Sequence, residues 1–192
     1  SGMAPLMIIG TVPLYNAFAV IVLSLLKPGQ RKMDKALLQK TLKGIVTNPI
    51  ILGIAAGFVW AILKIPQPEI LQKTVKNMAV LATPLGLMAM GASFEGKKAL
   101  GKLKPTLIAS ALKLVVLAAI FLPMAVRLGY RESELVAILV MLGSATTVSS
   151  FVMARNMGYE GILTSSIVMV TTLCSAFTLT GWLFLLKTLG LV

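Results

Sequence analysis

The residues best suited to chemistry form one cluster, Gly143–Ser150, which holds five hydroxyl groups within a long apolar stretch. Because serine and threonine side chains compete for backbone carbonyls, such a run can interrupt a helix. An interrupted helix exposes free backbone N–H groups where its second half begins, and these groups attract anions. The alternative is that the small residues only allow two helices to pack closely. The candidate anion ligands in the cluster are Gly143, Ser144, Ala145, Thr146, Thr147 and Ser149.

Two further polar residues lie inside other apolar stretches. Lys113 lies about two helical turns, or roughly 11 Å, from the start of its stretch. At that depth an ammonium group pairs, faces a cavity or extends to the membrane surface, and we expect pairing or a direct role in binding. Asn16 follows Pro13 in the first stretch, where a kink is predicted. Both residues are candidate substrate ligands.

Missing residue types exclude several classes of site. The sequence has no histidine, which excludes histidine metal sites, histidine general bases and Ser-His-Asp triads. The single cysteine, Cys174, cannot form an internal disulfide or a thiolate cluster. No Asp or Glu lies in the middle of an apolar stretch, so an anionic substrate fits better than a cationic one. We expect no enzyme activity, cofactor or metal, and coupling to a proton or sodium ion stays open.

The apolar composition predicts a helical membrane protein. Of the 192 residues, 57% are hydrophobic and only 12% are charged, whereas a soluble domain has about 25% charged residues. A membrane-spanning helix needs about 20 mostly apolar residues. Six stretches meet this requirement, at about 4–26, 45–63, 75–92, 106–126, 135–153 and 162–186.

The basic residues are distributed unequally between the loops, and this predicts the orientation. The formal net charge is +12. Eleven basic residues belong to one side of the membrane, most of them in 27–43 and 97–104, and six belong to the other. The positive-inside rule makes the first side cytoplasmic and places both ends of the chain outside an inner (plasma) membrane. Segment 27–43 is either a short interfacial helix or, as we expect, a plain basic linker.

Four motifs occur in order along nearly the whole chain: NPIILGIAAG (48–57), ATPLGLMAMGA (82–92), ALKLV (111–115) and ATTVSSFVMARNMG (145–158). In this order and spacing they resemble the auxin efflux carrier family, which includes bacterial malate-type permeases and plant PIN-type carriers. The resemblance implies ten helices in two inverted five-helix repeats, with the broken fourth helices crossing at the substrate site.

The resemblance also implies a division of the chain. Residues 45–192 correspond to the second repeat, 1–26 to the last helix of the first repeat, and 27–44 to the linker between them. The Gly143–Ser150 cluster then lines the substrate site, and Lys113 matches a recurring basic position. The family usually has a proline where this chain has Ala145, so the crossing helix is either broken or merely bent.

The leading hypothesis is a secondary active transporter, or its C-terminal part, that moves small organic anions such as carboxylates by alternating access. Because four helices of the family plan have no counterpart here, we expect a piece of a longer carrier, a truncated product, or a homodimer that rebuilds the missing half. The alternative is a non-transporting membrane fragment or assembly subunit. The expected partners are the anion and the lipid bilayer, and nucleic acid is not expected.

Overall fold

The described part of the protein is entirely helical. The computed structural model describes residues 3–26 and 49–192 and, between them, residues 39, 44, 46 and 47. Within these residues there are helices and no strands, which confirms the predicted all-α membrane class. The chain divides into two compact units, residues 2–82 and 83–192. The predicted basic linker 27–44, with its candidate interfacial helix, lies almost entirely outside the described residues.

In the unit of residues 2–82, the described residues form two whole helices and the beginning of a third. Helices α1 (Met3–Leu25) and α2 (Pro49–Ile62) pack against each other. Proline suits the first turn of α2, where its missing N–H would have no helical partner. Helix α3 (Glu69–Ala92) begins six residues before the predicted stretch at 75. Its first turns carry an exposed ion pair of 2.7 Å between Glu69 and Lys73, a spacing that supports a helix even among polar residues.

The unit of residues 83–192 continues α3 and adds five helices, one of which is central. These five are α4 (Gly96–Leu100), α5 (Leu103–Arg127), α6 (Glu132–Gly143), α7 (Val148–Asn156) and α8 (Ile162–Thr188). Helix α8 packs against each of the other four, and α5 also packs against α6. The unit is therefore organised around the C-terminal helix.

Helix length separates the candidate membrane spans into three kinds. Helices α3, α5 and α8 have 24, 25 and 27 residues, and their length and apolar composition are sufficient to cross a bilayer. Helices α6 and α7 together form a fourth candidate, bent by 41° at a short break. Within α1, of 23 residues, and α2, of 14 residues, the apolar segments Thr11–Ser24 and Ile51–Ile62 are shorter. Of the six predicted stretches, three are thus long helices, one is a broken helix, and the first two lie in α1 and α2.

Two apolar clusters hold the two halves of the broken helix. The first cluster joins α5, α6 and α8 through the buried residues Ala118, Leu122, Ala125, Leu135, Leu139 and Leu186. The second cluster joins α3, α7 and α8 through the buried residues Met90, Phe151 and Val168. Each half-helix therefore has its own packing partners, and α8 is the element that both halves share.

Helix α3 lies directly on the beginning of α7. A Cβ atom added to Gly86 would lie 2.8 Å from Cγ1 of Val148, which is closer than real Cβ contacts. Glycine at this position therefore allows the close approach of the two helices, as small residues commonly do in membrane proteins.

We expect the Leu139→Ala substitution to destabilise the protein by about 2–5 kcal/mol, because it leaves a cavity in the first cluster. Leu139 is fully buried, whereas its neighbour Val140 is 47% exposed. The Val140→Ala variant is therefore the matched control and should change stability little. Unfolding in mixed micelles would measure both variants, and equal effects of the two would contradict the packing described for α6.

Candidate functional site

The candidate site is the break between α6 and α7. Helix α6 ends at Gly143, residues 144–147 are non-helical, and α7 begins at Val148. Ser144 and Thr147, the residues that flank the two helices, have extended backbones with ψ of 157° and 149°. The helix is thus broken rather than merely bent, and the break forms without a proline at position 145. Hereafter residues 144–147 are called the linker.

Gly143 packs closely at the end of α6. A Cβ atom added there would lie 3.1 Å from Cδ2 of Leu179 on α8. Its φ angle is not among the positive values of the chain, so the glycine is needed for space rather than for an unusual backbone conformation. The end of the half-helix is therefore set against α8.

The carbonyl end of α6 receives the side chain of Lys113. Its Nζ donates to the carbonyl oxygen of Leu142 at 2.9 Å and to that of Met141 at 3.3 Å. A helix end leaves its last four carbonyls without helical partners, and within a membrane such groups need other donors. The lysine therefore pairs with backbone at the break.

A π-helical segment of α5 carries this lysine. Residues Leu112–Val116 have π-helical geometry between two α-helical parts of α5. The indole Nε1 of Trp182 on α8 donates to the carbonyl oxygen of Leu114 at 3.2 Å. Wider turns of this kind occur frequently at functional sites. The periodicity of the residues does not predict this π-helical segment.

The middle of the linker is held by Thr171 of α8. The backbone N–H of Thr146 donates to Oγ1 of Thr171 at 3.1 Å, and that hydroxyl in turn donates to the carbonyl of Ile167 at 2.7 Å. Thr171 is fully buried. It was not among the predicted site residues, because a threonine in an apolar helix usually bonds only to its own preceding turn. Its contact with the linker appears only in the tertiary structure.

The beginning of α7 offers free donors. In the described part of the chain, the backbone N–H groups of Val148 and Ser149 have no hydrogen-bond partner. The hydroxyls of Thr147 and Ser149 share a hydrogen bond of 2.8 Å, and Ser150 Oγ donates to the carbonyl of Thr147 at 2.7 Å. A half-helix N-terminus with free N–H groups carries partial positive charge, so this end of the break suits an anion.

The structure brings most of the predicted site residues together, and one of them belongs to the other unit. Gly143, Ser144, Ala145, Thr146, Thr147 and Ser149 form the break, and Lys113 lies at its carbonyl end. Asn16 belongs to the other unit, in α1, where it is 5% exposed. Its Nδ2 donates to the carbonyl of Val12 at 2.8 Å, whereas its buried Oδ1 has no partner among the described residues.

A second polar feature lies at the other end of α7. A cavity of about 360 Å³ is lined by Ala92, Ser93, Glu95, Lys98, Arg155, Glu160 and Ile162. Lys98 forms an ion pair of 3.0 Å with Glu95, and this hydrogen-bonded carboxylate raises the pKa of Lys98 above its usual value. The cavity brings the loop after α3 together with the loop after α7, two loops that are far apart in the sequence.

Comparison with known proteins identifies one relationship. A family model described as membrane transport protein matches residues 7–183, which is nearly the whole chain. Comparisons with curated proteins and with solved structures gave no match.

We expect the Thr171→Val substitution to loosen the linker, because it removes the acceptor for the N–H of Thr146. Leaving that donor unpaired costs about 1–3 kcal/mol. Hydrogen exchange followed by mass spectrometry should show faster exchange in peptides that cover residues 143–147.

The matched control is Thr172→Val. Thr172 is adjacent and bonds only to the carbonyl of Val168 in its own helix. If both variants exchanged at the wild-type rate across the linker, the role assigned to Thr171 would be wrong.

Proposed function

The chain belongs to the membrane transport protein family, that of the auxin efflux carriers, and from this premise we propose that it moves small organic anions. Membership of this family shows that the chain is a multi-pass membrane transport protein. We further propose that it is a secondary active transporter, or the C-terminal part of one, that works by alternating access. Carboxylates are the substrate class that the break in the α6–α7 helix favours.

The observation that carries this proposal is the pair of N–H groups at the beginning of α7 for which residues 3–26 and 49–192 offer no acceptor. The groups belong to Val148 and Ser149. The aligned peptide dipoles of α7 give this end of the helix about half a positive charge. A carboxylate has two oxygens that accept such N–H donors, and charge-assisted hydrogen bonds of this kind are strong. A cation would be repelled by the same end of the helix.

The hydroxyls around the break supply further ligands. Those of Ser144 and Thr146 form no hydrogen bond within the described residues, and those of Thr147 and Ser149 bond to each other and can reorient toward a bound anion. Direct binding of the anion by Asn16 stays a prediction from the sequence. So does direct binding by Lys113, whose ammonium group already donates to the backbone of α6.

Acidic residues do not compete with an anion in this part of the chain. Within the unit of residues 83–192, Glu95 and Glu160 lie outside the helices, and Glu132 and Glu134 lie in the first turn of α6. The middle of each helix in the unit is therefore without carboxylate charge. This distribution supports an anionic substrate rather than a cationic one.

The charged cavity supports the proposed orientation in an inner membrane. Its lining residues lie in or next to the loop after α3 and the loop after α7, so these two loops lie at one end of the unit. Both loops belong to the side that has the excess of lysine and arginine, and that side is cytoplasmic by the positive-inside rule.

A second broken helix would complete the site. Thr147 and Ser149 are exposed at the break, so one side of the candidate anion site is open. In the family plan a second crossing helix covers this side, and we propose that it comes from a preceding repeat or from a second copy of the chain. The competing hypothesis is a membrane fragment or assembly subunit that does not transport.

Replacing Thr146 and Thr147 together by valine should raise the KM for carboxylate uptake into proteoliposomes by about tenfold, with a smaller change in kcat. The expected size corresponds to one lost hydrogen bond to a charged group. Valine keeps the β-branched shape and leaves the backbone N–H groups in place, so the change isolates the hydroxyls.

Thr180→Val is the control variant, because Thr180 bonds only to the carbonyl of Ala176 in its own helix. A KM unchanged in the double variant would return the cluster to helix packing. Absence of uptake by the wild-type protein, together with no stabilisation by carboxylates in thermal unfolding, would favour the non-transporting alternative.

A further inference from the structure

We propose that Lys113 is a positioning residue that shapes the anion site through the backbone of α6, without itself binding the substrate. The contacts that support this role lie within the chain, whereas its consequence for an anion rests on the proposed function. Two donors of the ammonium group are directed at the carbonyls of Met141 and Leu142. These carbonyls belong to the last turn of α6, immediately before the linker.

The lysine supplies two of the hydrogen bonds that the carbonyl end of α6 needs. The carbonyl of Val140 accepts from the N–H of Ser144 at 3.0 Å. With the two carbonyls bound by Lys113, three of the last four carbonyls of α6 therefore have partners. Unpaired carbonyls are costly inside a membrane because water cannot replace the missing donors. Holding these groups fixes the point at which the linker begins.

The π-helical segment is what directs Lys113 toward α6. In a regular α-helix the residues that follow Lys113 on the same face are three, four and seven positions later. The residues of α5 that belong to the first cluster are Ala118, Leu122 and Ala125, and the nearest of them, Ala118, is five positions after the lysine. One wider turn over Leu112–Val116 brings these two sets of residues to a common face. The bond from Trp182 to the carbonyl of Leu114 stabilises that turn.

Charge at the break explains why the contact matters for anions. The carbonyl end of α6 carries about half a negative charge, and the N–H end of α7 carries about half a positive charge. Without compensation these two ends would largely cancel at the linker. The full positive charge of Lys113 offsets the carbonyl end, so the positive end of α7 dominates the potential there. Lys113 thus determines specificity for anions by acting on α6.

The test compares Lys113→Gln and Lys113→Arg in the full chain, reconstituted without substrate. Hydrogen exchange should become about tenfold faster in peptides covering residues 140–147 of the glutamine variant. The arginine variant keeps the charge and several donors, so its exchange should stay near that of the wild type. Lys104→Gln changes an exposed lysine of the same helix and should have no effect.

Uptake of a carboxylate provides the second measurement. We expect KM to rise about tenfold in Lys113→Gln and to stay within about twofold of the wild type in Lys113→Arg. A raised KM with unchanged exchange in the absence of substrate would overturn the proposal, because it would make Lys113 a direct ligand. A wild-type protein that takes up no carboxylate would refute the proposed function, while the exchange result would still decide the role of Lys113.

A second variant serves if Lys113→Gln does not fold. Trp182→Phe removes the donor to the carbonyl of Leu114 and keeps an aromatic ring packed against the first cluster. It should raise exchange over residues 140–147 by about two- to threefold, since the π-helical segment then holds the lysine less firmly. Unchanged exchange in this variant would also contradict the proposal.

Discussion

The structure around the break depends on one constraint: backbone groups inside a bilayer need hydrogen-bond partners from the protein. Breaking the α6–α7 helix creates a carbonyl end and an N–H end where an unbroken helix would have neither. Lys113 supplies donors to the carbonyl end, and Thr171 supplies an acceptor within the linker. Among the residues that the structure describes, the first N–H groups of α7 have no such partner. The anion site that we propose is therefore the part of the break that this portion of the chain leaves unpaired.

Besides hydrogen bonding, the packing of apolar side chains also maintains the break. The first cluster holds α6 against α5 and α8, and the second cluster holds α7 against α3 and α8. Each half-helix thus has one neighbour of its own besides the shared α8, so realigning the two halves would disturb one of the clusters. Gly86 permits the close contact of α3 with the beginning of α7, and Gly143 permits that of the end of α6 with α8. The four-residue linker is short, and α8 runs alongside both halves.

Sequence reasoning located the break in the helix better than the elements that support it. The density of hydroxyls at Gly143–Ser150 predicted an interruption, and the depth of Lys113 in its helix predicted an ammonium group that pairs or takes a direct part in binding. Both features are local, so they are visible in a single stretch of residues. The beginning of α3 at Glu69, the π-helical segment and the role of Thr171 were missed. These features depend on neighbours that residue spacing does not reveal.

By itself the sequence determined the class of the protein, the approximate positions of its helices and the cluster where one of them breaks. These properties follow from composition and local spacing, because a bilayer selects long apolar helices and polar residues within them are rare. Only the tertiary structure decided which side chains form hydrogen bonds with the backbone groups at the break. Lys113 and Leu142 are 29 positions apart, and Thr146 and Thr171 are 25 apart. Contacts over such separations are set by how the helices pack. The same apolar pattern would allow other threonines to face the linker, and it would allow α5 to form without a π-helical turn.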